Sequence, residues 1–247
     1  MEKLPILFIF DFDETLSVRA SCYPIEELAP NREKLNLDDI NHGYVHVHHC
    51  WNRRMNEVHK QLAEQGINTE QLIEAFRTIE LSPGTAELFR DIHINNHKII
   101  IISNACDLLI EECLRAQNLL QYVDEIKSNP VRQREPLIII DEYENPLQTN
   151  CTFCQPNLCK GSIIDQYRNS NRYDKIIFVG DGDNDVCAAL RLNKTDYAFA
   201  KYDEESETTY KMYDLLKNQY FKQLKTELLL WKTMKDVHGI LKKKNIL

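Results

Sequence analysis

Four short apolar runs constrain this chain most. They are residues 6–10 (ILFIF), 98–102 (KIIII), 136–140 (PLIII) and 175–179 (KIIFV). Each has the length of a β-strand, and none alternates apolar with polar residues. A strand wetted on one side alternates; a strand covered on both faces does not. The runs therefore predict buried strands of a parallel sheet. Residues 197–200 read as a shorter strand and 122–126 as a weaker one.

Helical patterns lie between several of these runs. One spans residues 82 to about 95, with Ser82 as N-cap and Pro83 in the first turn. Others cover residues 107–118, 161–169 and 184–192. Strand–helix–strand alternation predicts an α/β, Rossmann-like fold, a parallel sheet with helices on both faces. Residues 18–81 interrupt the alternation. They begin as loop and continue as helix over about 51–65 and 69–79, which reads as a helical cap inserted after the first strand. Residues 127–134 read as loop and 205–247 as a mostly helical extension, its apolar residues 224–241 packed on the core. The expected division is 1–17 with 82–204 as catalytic core, 18–81 as cap and 205–247 as extension.

Composition excludes several functions. The formal net charge is −8 and no basic patch stands out, which argues against a nucleic-acid partner. No apolar run reaches the roughly 20 residues of a membrane span, and acids interrupt the short N-terminal run, unlike a signal peptide. Eight cysteines without a secretion signal read as mostly reduced thiols, so the expected setting is cytoplasmic.

The chemistry gathers where two of the strands end. The first run passes directly into Asp11-Phe12-Asp13-Glu14-Thr15-Leu16. Ligands of open α/β sheets gather beyond the carboxyl ends of the strands. Residues 11 and 13 point the same way if strand geometry persists, and paired carboxylates need a cation, a proton or a donor between them. Read alone, they could equally be loop acids bonded to backbone N–H groups. The run at 175–179 ends in Gly180-Asp181-Gly182-Asp183-Asn184-Asp185, a density of hard oxygen ligands that suits Mg2+. Its plain reading is an acidic turn capping the next helix. The spacing of an EF-hand loop is missing. Ser103 and Asn104 follow another run, where a hydroxyl and N–H groups can hold phosphate oxygens. Lys160 precedes a helical pattern; turned inward, it would neutralise a phosphate and orient Asp11.

Together these segments resemble the haloacid-dehalogenase superfamily of phosphatases. The resemblance implies that Asp11 is the nucleophile, forming an aspartyl-phosphate, and that Asp13 is the general acid/base. Thr15, Ser103, Asn104, Lys160 and Cys22 would contact substrate, with Ser103 and Lys160 also serving catalysis. Mg2+ would be held by Asp11, by the main-chain carbonyl of Asp13, by Asp181, and by Asp185 directly or through water. Further stretches narrow the match: Trp51-Asn52-Arg53-Arg54-Met55-Asn56-Glu57-Val58, Glu80-Leu81-Ser82-Pro83-Gly84, Ser128-Asn129-Pro130, and Cys151-Thr152-Phe153-Cys154-Gln155-Pro156-Asn157-Leu158-Cys159-Lys160-Gly161. Over about residues 6–200 the chain resembles the branch of phosphoethanolamine/phosphocholine phosphatases and pyridoxal phosphate phosphatases. It departs where that branch has Ser-Asp after the nucleophile and Ser-Asp-Ala-Asn after the second strand. Here the residues are Ser21-Cys22 and Ser103-Asn104-Ala105-Cys106. The branch's two acids would face a cationic amine; Cys22 and Asn104 are uncharged. The branch also tends to carry His before the first cysteine of its Cys-rich segment, where Thr149-Asn150 stand.

The expected activity is thus Mg2+-dependent hydrolysis of a small phosphorylated metabolite: phosphoethanolamine, phosphocholine or pyridoxal phosphate. Trp51 and Tyr44 are candidates to stack on a flat substrate. The alternative is a phospho-ligand sensor or scaffold that has lost turnover. Cys151, Cys154 and Cys159 form C-x2-C-x4-C. A structural zinc site needs four ligands, and no fourth is evident nearby, so buried thiols or a loop staple are the preferred reading. His42, His46, His48 and His49 could supply the fourth only through the fold. Cys22, Cys50, Cys106, Cys113 and Cys187 read as core residues.

Overall fold

The computed structural model describes residues 4–35, 51–144, 146–148, 150–204 and 210–247. Its centre is a six-stranded parallel sheet of β1 (Ile6–Phe10), β2 (Lys98–Cys106), β3 (Glu125–Asn129), β6 (Lys175–Gly180), β7 (Tyr197–Lys201) and β8 (Glu227–Trp231), in the order β3-β2-β1-β6-β7-β8. Two short strands, β4 (Val131–Gln133) and β5 (Ile139–Ile140), form a separate antiparallel pair.

The absence of alternation in β1 has the expected cause. Phe8 and Phe10 pack into one buried cluster with Phe89 and Leu109. Leu7 and Ile9 pack into another with Ile163, Ile164 and Phe178. Helices supply both layers: α4 (Thr85–Ile94), α5 (Asp107–Ala116) and α9 (Met234–Lys243) carry residues of the first, and α6 (Lys160–Asn169), α7 (Asp185–Leu190) and α8 (Lys211–Asn218) residues of the second. Burying apolar area at about 25 cal/mol per Å2 is the main stabilising contribution of such layers.

Between β1 and α4 the chain forms α1 (Cys22–Glu26), α2 (Trp51–Glu64) and α3 (Thr69–Arg77). It leaves and rejoins the sheet at one place. Ser17 and Leu81 form an antiparallel bridge, Val18 N–H donates to the Glu80 carbonyl at 2.9 Å, and Ser82 N–H donates to the Leu16 carbonyl at 2.7 Å.

Four expectations are corrected. The tail is not wholly helical: residues 227–231 are the sixth strand, paired with β7 through Tyr197–Glu227 to Lys201–Trp231. Five apolar or aromatic residues in seven beside a helical pattern hid the change of period. The run at 136–140 gives no strand of the main sheet, only two residues of the β4–β5 pair. The stretch 127–134, expected as loop, contains the end of β3 and all of β4. The helix expected to be capped by Ser82 starts later: Gly84 precedes Thr85 as N-cap, and Thr85 Oγ1 donates to the Ser82 carbonyl at 2.6 Å. Among the described residues no helix is long and apolar enough to cross a membrane.

The inner face of α2 carries His59, fully buried, with Nδ1 3.2 Å from the Ile138 carbonyl and Nε2 without a partner among the described residues. Burial pushes its pKa down to about 4, against about 6.5 for an unfolded histidine. In that window the unfolded chain binds the extra proton. His59 therefore makes stability fall as pH drops from 6.5 towards 4. Urea unfolding at pH 7 and pH 5 should show wild type losing about 2 kcal/mol more than His59→Gln over the interval.

Candidate active site

The sheet reverses its winding at β1. From there the chain goes outward through β2 and β3 on one side and, later, through β6, β7 and β8 on the other. The crevice beyond the carboxyl ends at such a point is where open α/β sheets bind ligands. Register shows which residues meet there. Phe10 pairs with Ile101 and Val179, and Val179 with Phe199. Two positions beyond those pairs stand Ser103 on β2, Asp181 after β6 and Lys201 on β7, alongside the turn that carries Asp11 and Asp13.

The centre of the group is Lys160, at the first position of α6 and fully buried. Its Nζ lies 2.7 Å from Asp11 Oδ2 and 2.6 Å from Asp185 Oδ1. Asp11 Oδ1 also accepts the Phe12 N–H at 2.7 Å. Asp185 has both oxygens engaged by protein donors, since Oδ2 accepts the N–H groups of Asp181 and Gly182 at 2.9 Å each. Gly180 makes this approach feasible: a Cβ there would stand 2.5 Å from the Asp185 carboxylate.

Electrostatics follow from burial. Desolvation raises the Asp11 pKa to about 7; Lys160 opposes the rise and Asp185 adds to it. Asp181 is raised well above its ordinary value by burial, then by Asp185 and Asp11. Burial pulls Lys160 down, but Asp11 and Asp185 outweigh it and hold the ammonium above the usual lysine range. Asp13 is raised by burial and stabilised as an anion by the Ser21 N–H, 2.7 Å from its Oδ1.

Three carboxylates thus share the crevice with the Lys160 ammonium, which contacts two of them. Oxygens of Asp11, Asp181 and Asp185 lie within 4.8 Å of one another, all three residues buried. This donor set, hard oxygens with surplus negative charge, fits a divalent cation such as Mg2+. The resemblance assigns Asp13 to the metal through its main-chain carbonyl, and its side chain stands outside this group.

The remaining expected residues have definite places. Thr15 is turned to Asp181, its Oγ1 donating to Oδ1 at 2.8 Å. Ser103 is buried, its Oγ accepting the Ala105 N–H at 3.2 Å. Asn104 is 7% exposed, and neither atom of its side-chain amide has a partner among the described residues. Cys22 opens α1, its thiol pushed up to about 11 by burial and then by Asp13 and Glu26. Trp51 is half-buried, its N–H donating to Gln155 Oε1 at 3.3 Å. Tyr44, the four cap histidines, Cys50 and Thr149 lie outside the described residues.

Lys201 escaped the sequence reading. It ends β7, donates to the main-chain carbonyl of Glu14, and is lowered in pKa by burial against the pull of Asp181. Glu14 sits at φ 55°, in the left-handed region, so Lys201 holds a turn that the backbone alone disfavours. The signal was positional: Lys201 ends the strand beside the acidic one.

The Asp11 shift gives a direct test. In metal-free protein, carboxyl 13C resonances of Asp11, assigned by their loss in Asp11→Asn, should titrate near pH 7. Lys160→Met should raise that midpoint, because it removes the cation that opposes desolvation.

Comparison with known proteins identifies the family. Residues 6–245 match the profile of a family described as "Putative Phosphatase". Pyridoxal phosphate phosphatase PHOSPHO2 of Bos taurus is 30% identical over 209 residues, 80% of this chain and 83% of that protein. Inorganic pyrophosphatase 2 of Arabidopsis thaliana is 28% identical over 200 residues, 78% of this chain and 69% of that protein. Among solved structures, apo phosphoserine phosphatase superposes with a TM-score of 0.59 at 15% identity, covering 98% of both chains; at that identity the likeness shows the fold alone. Since the profile spans nearly the whole sequence and the bovine relative most of it, the chain belongs to this phosphatase family of the haloacid-dehalogenase superfamily and is a phosphoric monoester hydrolase.

Proposed function

We propose that the protein is a Mg2+-dependent phosphatase that works through an aspartyl-phosphate on Asp11. The observation that carries this reading is Lys160 bridging Asp11 and Asp185 inside the protein. An aspartate with a pKa raised to about 7 is a poor nucleophile when protonated; the ammonium at 2.7 Å favours its anionic form. Mg2+, held by Asp11 and Asp181 with Asp185 behind them, would offset the charge of the phosphate dianion against these acids.

In the first step an Asp11 carboxylate oxygen attacks phosphorus and the bond from phosphorus to the leaving oxygen breaks. Asp13, whose raised pKa favours the protonated form, gives its proton to that oxygen. In the second step Asp13, now a carboxylate, takes a proton from water. The hydroxide attacks phosphorus, phosphate leaves, and Asp11 is regenerated. Ser103 and Lys160 are placed to hold phosphate oxygens through a hydroxyl and an ammonium.

The leaving group we favour is uncharged and polar, as in pyridoxal phosphate, rather than a quaternary or primary ammonium. Asn104 offers an amide with two unpartnered atoms. On the cap side, buried Glu26 is already paired with Arg54, so it offers no free carboxylate to an amine. The name of the bovine relative points to pyridoxal phosphate as first candidate; pyrophosphate, from the name of the plant relative, expels an anion and is the contrasting substrate.

Phosphate release should be measured with pyridoxal phosphate, pyrophosphate, phosphoethanolamine and phosphocholine, with Mg2+ and with chelator. Asp11→Asn should lose roughly 1000-fold or more, and chelation should abolish turnover. Asn104→Asp should raise the kcat/KM ratio of phosphoethanolamine to pyridoxal phosphate about tenfold, the effect of roughly 1.4 kcal/mol. A folded wild type that binds Mg2+ and turns over none of the four would contradict the reading.

A further inference from the structure

Beyond the acidic crevice, a second group of metal-binding atoms is buried behind it. The Sγ atoms of Cys151, Cys154, Cys159 and Cys187 all lie within 4.8 Å of one another. Cys151 and Cys187 are 3.4 Å apart, and Cys159 and Cys187 3.9 Å. Four thiolates around zinc at about 2.3 Å occupy the corners of a tetrahedron with edges of about 3.8 Å. Three of the four residues are buried and Cys151 is partly so.

Sequence alone left this site one ligand short, with buried thiols or a loop staple as the preferred reading. The fold supplies the fourth, Cys187, from the first turn of α7. The sulfur sits where a side chain on α6 would otherwise be: a Cβ on Gly161 would stand 2.4 Å from Cys187 Sγ. Glycine at that position leaves space for the fourth sulfur between the two helices.

We propose that these four cysteines bind one structural zinc ion as a tetrathiolate. The donor set is soft, complete and closed by protein, which selects zinc or iron over Mg2+ and leaves no open position for substrate. Its placement gives it a role. Cys159 directly precedes Lys160, and Cys187 lies two residues after Asp185. The ion therefore joins the loop 151–159, the start of α6 and the start of α7, the last two carrying the two partners of the buried Lys160–Asp185 pair.

The test is metal content on protein purified under reducing conditions without chelator. Elemental analysis should find about one zinc per chain. Cys187→Ser and Cys151→Ser should fall well below that, while Cys22→Ser retains it. Because the first two variants could fail to fold, wild type stripped of metal under reductant should be titrated with Co2+. Tetrahedral thiolate ligation gives intense visible bands together with sulfur-to-cobalt charge transfer in the near ultraviolet. Cobalt at the carboxylates would show no such charge transfer. Wild type that carries no zinc and gains no thiolate–cobalt spectrum would overturn the proposal. So would iron in place of zinc, or a non-reduced mass showing disulfides among these four residues.

Discussion

One buried ammonium holds this structure's working parts in register. Lys160 has no exposure to solvent, and an isolated charge so placed would cost several kcal/mol. It is tolerated because Asp11 and Asp185 reach it from two different strand ends, β1 and β6. Asp11 needs the cation in turn, since burial drives it towards its neutral form. Substituting Lys160 would leave two buried carboxylates facing each other with no cation between them, so the site and the sheet beneath it are energetically one object.

The fold was legible in the sequence where each element stated its own environment. The unbroken apolar runs of β1, β2 and β6 announced a sheet covered on both faces, and the acids after β1 and β6 announced the crevice. What escaped had a cause of the same local kind. The segment Glu227–Trp231 sits between helical patterns and carries three leucines in a row; its strand character comes from pairing with β7 across some 30 residues. The run PLIII looked like β1, yet it packs near α2, where Asn56 exchanges hydrogen bonds with the main chain of Ile140 at 2.8 and 2.9 Å.

The site divides in the same way. Asp11, Asp13, Asp181 and Asp185 were readable because each follows an apolar run within a few residues. Lys201 and Cys187 were not, because neither lies in a motif. Lys201 acquires its role from the register of β7 against β6. Cys187 acquires its role from the packing of α7 on α6 at Gly161. Both are meetings of segments distant in sequence, which periodicity and spacing do not encode.

The tie between the cap's return point and the last helix carries one more consequence. Ser82 Oγ accepts the N–H of Met234 at 3.2 Å, and the Pro83 carbonyl accepts that of Lys235 at 2.9 Å. The first turn of α9 therefore meets the point where the segment inserted after β1 rejoins the core. Removing α9 is thus not a neutral truncation in this protein: it would strip Ser82 and Pro83 of main-chain partners where the inserted segment returns to the sheet.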